Sequence, residues 1–196
     1  VQAAWLRDGR DSLIYPTQGT KQTAGAEVGL PGGDLHYYKL SYQYQRFFPL
    51  TRDYTLMLNG EVGYGDGYDQ KPLPFFKNYY TGGITSVRGF KAYTIGPKDT
   101  NGDPTGGSRK LLGNAEVLFP FPGLANDRSV RLGTFLDMGW VGNDYTFTDN
   151  PIRASAGMSI IWVSPLGPLK VVMANAFRKQ TSDSTQTFQF TIGGSF

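Results

Sequence analysis

Apolar and polar positions alternate with a period of two along most of this chain, in segments of roughly eight to twelve residues. Gly, Pro, Asp and Asn clusters divide the segments. Between 35 and 46, Tyr38, Leu40, Tyr42 and Tyr44 alternate with Lys39, Ser41, Gln43 and Gln45. Between 53 and 64, Tyr54, Leu56, Leu58, Val62 and Tyr64 oppose Thr55, Met57, Asn59 and Glu61. The segment 112–120 sets Ala115, Val117 and Phe119 against Asn114, Glu116 and Leu118. In 129–139, Val130, Leu132, Leu136 and Met138 oppose Arg131, Gly133, Phe135 and Asp137. In 153–163, Ala154, Ala156, Met158, Ile160 and Trp162 oppose Arg153, Ser155, Gly157 and Ser159. The last segment puts Phe188, Phe190, Ile192 and Phe196 on one face and Gln189, Thr191, Gly193 and Ser195 on the other. Weaker alternation runs through 1–8, 19–30 and 167–177, giving about nine candidate strands and no helix.

Alternation does not say which face is wet. A soluble β-sandwich buries the apolar face; a membrane barrel turns it to lipid and keeps polar residues inside. Three features favour the barrel. Segments near ten residues match a tilted bilayer crossing. Aromatics gather toward segment ends (Tyr38, Tyr54, Tyr64, Phe119, Trp162, Phe177 and Phe196), where interfacial girdles sit. The polar face carries small residues and isolated charges of both signs. The expected fold is therefore all-β, an antiparallel transmembrane β-barrel of about eight or nine strands. Bacterial single-chain barrels have even counts, so one segment, 1–8, is expected to be partial or excluded. A soluble all-β binding protein is the competing reading, and detergent dependence separates the two.

Composition narrows the chemistry. The 196 residues include no Cys and a single His, His36, which removes disulfides, Cys-based metal or redox sites and multi-His centres. No nucleophile–base or metal constellation stands out, so neither an enzyme nor a cofactor is expected. Asp99 and Asp103 do not follow an EF-hand spacing and read as a solvated loop. A net charge of +3 is too small and scattered to argue for nucleic acid. No apolar run approaches the length of a transmembrane helix. The opening VQAAWLRD lacks the basic lead-in of a signal peptide. The inward charges Lys21, Lys39, Glu27 and Glu61 are mixed in sign, which argues against an ion-selective pore.

The run 65–111 breaks the rhythm. Structureless stretches of that length are uncommon in compact domains unless they are functional or disordered. Within it, GGITSVRGF places Arg88 beside Gly89 and Phe90. VRGF at 87–90, TIGP at 94–97, FLDMG at 135–139, SPLGP at 164–168 and the closing FQFTIGG resemble the BamA family of outer-membrane assembly factors. RDS at 10–12 and YPTQG at 15–19 extend the resemblance over almost the whole chain, in order.

The resemblance implies that residues 1–196 correspond to about the C-terminal half of a sixteen-stranded barrel, with 65–111 a long lumen-directed or extracellular loop. It implies a loop motif of Val87, Arg88, Gly89 and Phe90, whose arginine pairs with inner-wall partners. Parity alone puts Glu116, Phe135 and Asp137 on the inward face. A guanidinium matches carboxylates bidentately and stacks on aromatics. The bland alternatives are a solvated Arg88 or a purely structural tether. Were the segment to close alone on eight strands, side chains would fill its lumen and displace the loop.

The resemblance also marks Phe188, Phe190, Ile192, Gly193, Gly194 and Phe196 as a C-terminal targeting strand and weak seam, although the glycines fit a bend or bulge equally well. It implies insertion of outer-membrane proteins in a Gram-negative outer membrane. The partners would be lipid, lipopolysaccharide, unfolded barrel clients and periplasmic lipoproteins, with self-association through open edges. The alternative is a protein-translocation barrel of the same superfamily, of the two-partner secretion or patatin-linked kind.

Overall fold

A computed structural model describes residues 1–30, 32–33, 35–123, 129–164 and 167–193. Nine antiparallel strands form one sheet in chain order: β1 (Gln2–Asp8), β2 (Gly19–Val28), β3 (Tyr37–Pro49), β4 (Thr55–Gly67), β5 (Arg109–Pro120), β6 (Val130–Gly142), β7 (Arg153–Ser164), β8 (Gly167–Arg178) and β9 (Phe188–Ile192). Among the described residues β1 pairs only with β2 and β9 only with β8, so the sheet is open. The only helical element described is one 3₁₀ turn, Phe75–Lys77. No described helix is long and apolar enough to cross a membrane.

Residues 1–8 are not excluded. β1 pairs with β2 from Gln2↔Glu27 to Asp8↔Lys21, and the strand count is odd. An even count is needed to close a barrel of antiparallel neighbours, and this sheet does not close. The strands β4–β6 also run further at the long-loop rim than alternation indicates. Gly63, Gly65 and Gly67 carry β4 outward, and Trp140, Val141 and Gly142 carry β6. Glycines erase the alternation without ending the ladder.

Burial is inverted relative to a water-soluble sheet. Leu40, Leu58, Val62, Leu136, Met138, Met158, Ile160 and Trp162 are exposed on one face. The opposite face buries Glu116, Arg131, Asp137, Arg153, Ser159 and Gln189. A face of large apolar side chains on strands of 10 to 13 residues, β2 through β8, is the outer surface of a bilayer-crossing sheet. Ring pairs flank it. Tyr54 stacks on Phe119 at 5.6 Å near the short-turn rim, and Tyr38 meets Tyr64 at 6.0 Å near the other.

The loop joining β4 to β5 turns back across the inner face. Tyr79 donates its hydroxyl to Leu40 O at 2.6 Å, and Lys39 reaches Lys77 O at 2.7 Å. Burial, with Glu61 nearby, pushes the Tyr79 phenol up to about 12, so it stays a neutral donor. At the opposite rim the β1–β2 connection also folds inward. Arg131 of β6 donates to Pro16 O at 2.8 Å and lies 4.0 Å above the Tyr15 ring.

Candidate functional site

Adjacent residues of the inner wall alternate in direction, so a loop laid on it meets every second side chain of each strand. β5 presents Glu116 and Asn114, β6 presents Phe135 and Asp137, β7 presents Ser159, and β9 presents Gln189. Asn114↔Asp137 and Glu116↔Phe135 are direct cross-strand pairs, which sets the two carboxylates on neighbouring strands at nearby levels.

The loop brings Arg88 between them. Its Nε and NH2 donate to the two Asp137 oxygens, each at 2.7 Å, a bidentate fork. NH1 donates to Glu116 Oε2 at 2.7 Å, and the Arg88 backbone N–H donates to Asp137 Oδ2 at 3.0 Å. The guanidinium carbon stands 3.5 Å from the Phe135 ring centre. Arg88 is 3% exposed, Glu116 2% and Asp137 0%, so solvent screens this cluster little. Burial works against the Arg88 charge, but its hydrogen bonds to Asp137 and the charges of both carboxylates outweigh that and hold its pKa above the ordinary value.

Further wall groups complete the carboxylates. Ser159 donates to Glu116 Oε1 at 2.5 Å, and Asn114 donates to Asp137 Oδ1 at 2.9 Å and to the loop carbonyl of Ser86 at 2.7 Å. Asn59 donates to Asn114, and Gln43 to Asn59, so amides extend the network across β3, β4 and β5. Lys170 of β8 is a second cation within electrostatic reach of Glu116.

The loop path demands glycine. Gly82, Gly83 and Gly89 take φ of +107°, +97° and +87°. A Cβ on Gly89 would also stand 3.1 Å from Ala174 Cβ and 3.5 Å from Ser155 Cβ. Ser155 lies where the β7–β8 register shifts between Ala154 and Ala156, so the wall is bulged where Gly89 passes it. On either side of Arg88, Val87 and Phe90 pack with Ile95, Leu112 and Ala176, and Ile84 packs on Phe135, Val172 and Ala174.

Sequence reasoning missed a second buried ion pair. Arg153 of β7 donates to Asp183 at 2.9 Å, to Asn150 at 2.6 Å and to Gln180 at 2.5 Å, tying the β6–β7 and β8–β9 loops together. Strand parity placed Arg153 inward, but its partners sit in loops whose spacing carries no signal.

Phe188, Phe190 and Ile192 lie exposed on the outer face of β9, and Gln189 is buried on the inner one. Gly193, with φ of +73°, leaves the strand in a bend, and its N–H donates to Pro168 O at 2.9 Å. Gly194 and Phe196 lie outside the described residues. Among the described residues no group of His, Cys, Asp and Glu forms a metal centre.

Comparison with known proteins fits this geometry. The Omp85 superfamily domain matches residues 1–196. The chain is 41% identical to outer membrane protein assembly factor BamA of Neisseria meningitidis serogroup B, over 98% of the chain and 28% of that protein. It is 32% identical to a SAM50-like protein of Schizosaccharomyces pombe, over 82% of the chain and 36% of that protein. The crystal structure of BamA from Haemophilus ducreyi lacking POTRA domains 1–3 superposes with a TM-score of 0.88 at 27% identity, covering 96% of this chain and 41% of that one. The chain therefore spans well under half the length of each of these relatives. It belongs to the Omp85 superfamily.

Proposed function

We propose that this chain is the C-terminal barrel segment of an outer-membrane protein assembly factor of a Gram-negative bacterium. The observation that carries the reading is the 41% identity to a BamA assembly factor across nearly the whole chain, docked loop included. The work needs no covalent chemistry. A sheet with an outward apolar face stands in the bilayer, and its last strand offers backbone groups to an incoming strand by β-augmentation. Clients are unfolded outer-membrane proteins; lipid, lipopolysaccharide and periplasmic lipoproteins are the other partners. The 68–108 loop, held by Arg88, braces the inner wall against the strain of an opening seam. Supporting this division, among the described residues β9 is paired with β8 over five residues, whereas β6 is paired with β5 over twelve.

The test is client folding into liposomes of outer-membrane lipids containing the intact protein. Faster appearance of a folded, protease-resistant barrel client than with empty liposomes supports the proposal. No acceleration sinks it. Passage of a soluble passenger across the bilayer without client insertion would instead favour a translocation barrel.

A further inference from the structure

The pairing of β9 with β8 stops at Met173↔Phe188, although β8 continues to Arg178. The chain leading into β9 finds its next partner elsewhere. Ala174 N–H still reaches Thr187 O at 2.8 Å, but Gln186 N–H donates to Gly89 O and Lys91 N–H to Ser184 O, both at 2.9 Å. Phe90 and Thr185 form an antiparallel bridge between those two bonds. The VRGF loop thus serves as a short strand partner for the segment entering β9.

Gln189 extends that pairing into the strand itself. Its Nε2 donates to Phe90 O at 2.7 Å and its Oε1 accepts from Gly89 N–H at 3.2 Å. One buried side-chain amide, 5% exposed, supplies both the donor and the acceptor that a peptide group would offer a neighbouring strand. The loop residues it holds directly follow Arg88. The cluster on β5 and β6 is therefore joined to β9 through the backbone of two consecutive residues.

We propose that Gln189 is a positioning residue that couples the docked loop to the last strand, so that docking sets how firmly β9 pairs with β8. The inference rests on this geometry and not on the assembly role, and its test reads no insertion activity. Amide hydrogen exchange of the intact protein in lipid nanodiscs, followed by mass spectrometry, resolves the peptides involved.

Gln189→Ala is expected to accelerate exchange across 184–192 about tenfold, as loss of two buried hydrogen bonds implies, and by the same coupling to accelerate 84–88, while β5 and β6 keep their wild-type rates. Thr191→Ala, on the same face of the same strand, is expected to change neither. Coupling is reciprocal, so Arg88→Ala, although the guanidinium is anchored on β5 and β6, must accelerate 184–192 as well. Gln189→Leu removes both hydrogen bonds while keeping most of the side-chain volume, and should accelerate 184–192 as alanine does; it decides the matter if the alanine variant does not fold. Unchanged exchange at 184–192 in the glutamine variants, equal acceleration across β5 and β6, or an Arg88→Ala effect confined to the loop would each overturn the proposal.

Discussion

Arg88 meets more demands than a surface charge would, and each can be removed separately. Asp137→Ala leaves the guanidinium with one carboxylate and strips the acceptor from the buried Arg88 N–H. Breaking one side of a buried pair costs about 3–5 kcal/mol because the other charge stays desolvated. The expected result is trypsin cleavage at Lys91 and Lys98, with wild-type protein resistant there. Arg88→Lys keeps the charge but loses the fork and the stack on Phe135. It should expose the same sites, and a lysine variant as resistant as wild type would show that charge alone docks the loop. Gly89→Ala forces a side chain into φ of +87° against Ala174. The left-handed backbone alone costs about 1–2 kcal/mol. Its thermal unfolding in detergent should begin at a lower temperature than that of wild type.

At the scale of the element, strand parity sorts tolerance. Met158 is 56% exposed on the lipid face of β7, next to Ser159, which is buried against Glu116. Met158→Arg places a charge in hydrocarbon and should cost roughly 2–4 kcal/mol near the bilayer midplane, less toward the rims. Urea unfolding in lipid vesicles measures it, and an unchanged midpoint would mean that this face does not meet lipid. The β8–β9 loop is held from two sides, by Arg153 through Asp183 and by the VRGF loop through Thr185 and Gln186. Arg153→Ala releases one side only. Proteolysis after Arg178 or Lys179 should rise while Lys91 remains protected; equal cleavage at both would show that the two anchors act as one.

At the scale of the molecule, the open sheet governs behaviour. Among the described residues β1 and β9 each present one unpaired edge, and unpaired backbone groups are costly in hydrocarbon. Closing β1 on β9 would shrink the lumen to a width that side chains fill, and the 68–108 loop already occupies that space. The isolated chain is therefore expected to associate in detergent, with a mass that is a multiple of 21.6 kDa. A heat-modifiable monomer would contradict this and imply that the loop has been expelled.

The sequence by itself marked most of the strands and the face on which their residues lie. Those properties depend on a period of two, which any extended chain obeys whatever surrounds it. It was enough to set Glu116, Phe135 and Asp137 on the inward face, and the resemblance to known assembly factors supplied the arginine that would meet them. Only the tertiary structure decided that β1 belongs to the sheet, that the edges stay open, and that one loop spans from β5 to β9. The Arg153–Asp183 pair and the Gln189 amide on Gly89 and Phe90 belong with these. Such contacts join residues 30 and 100 positions apart through loops, where no periodicity fixes direction and the path depends on what the wall offers.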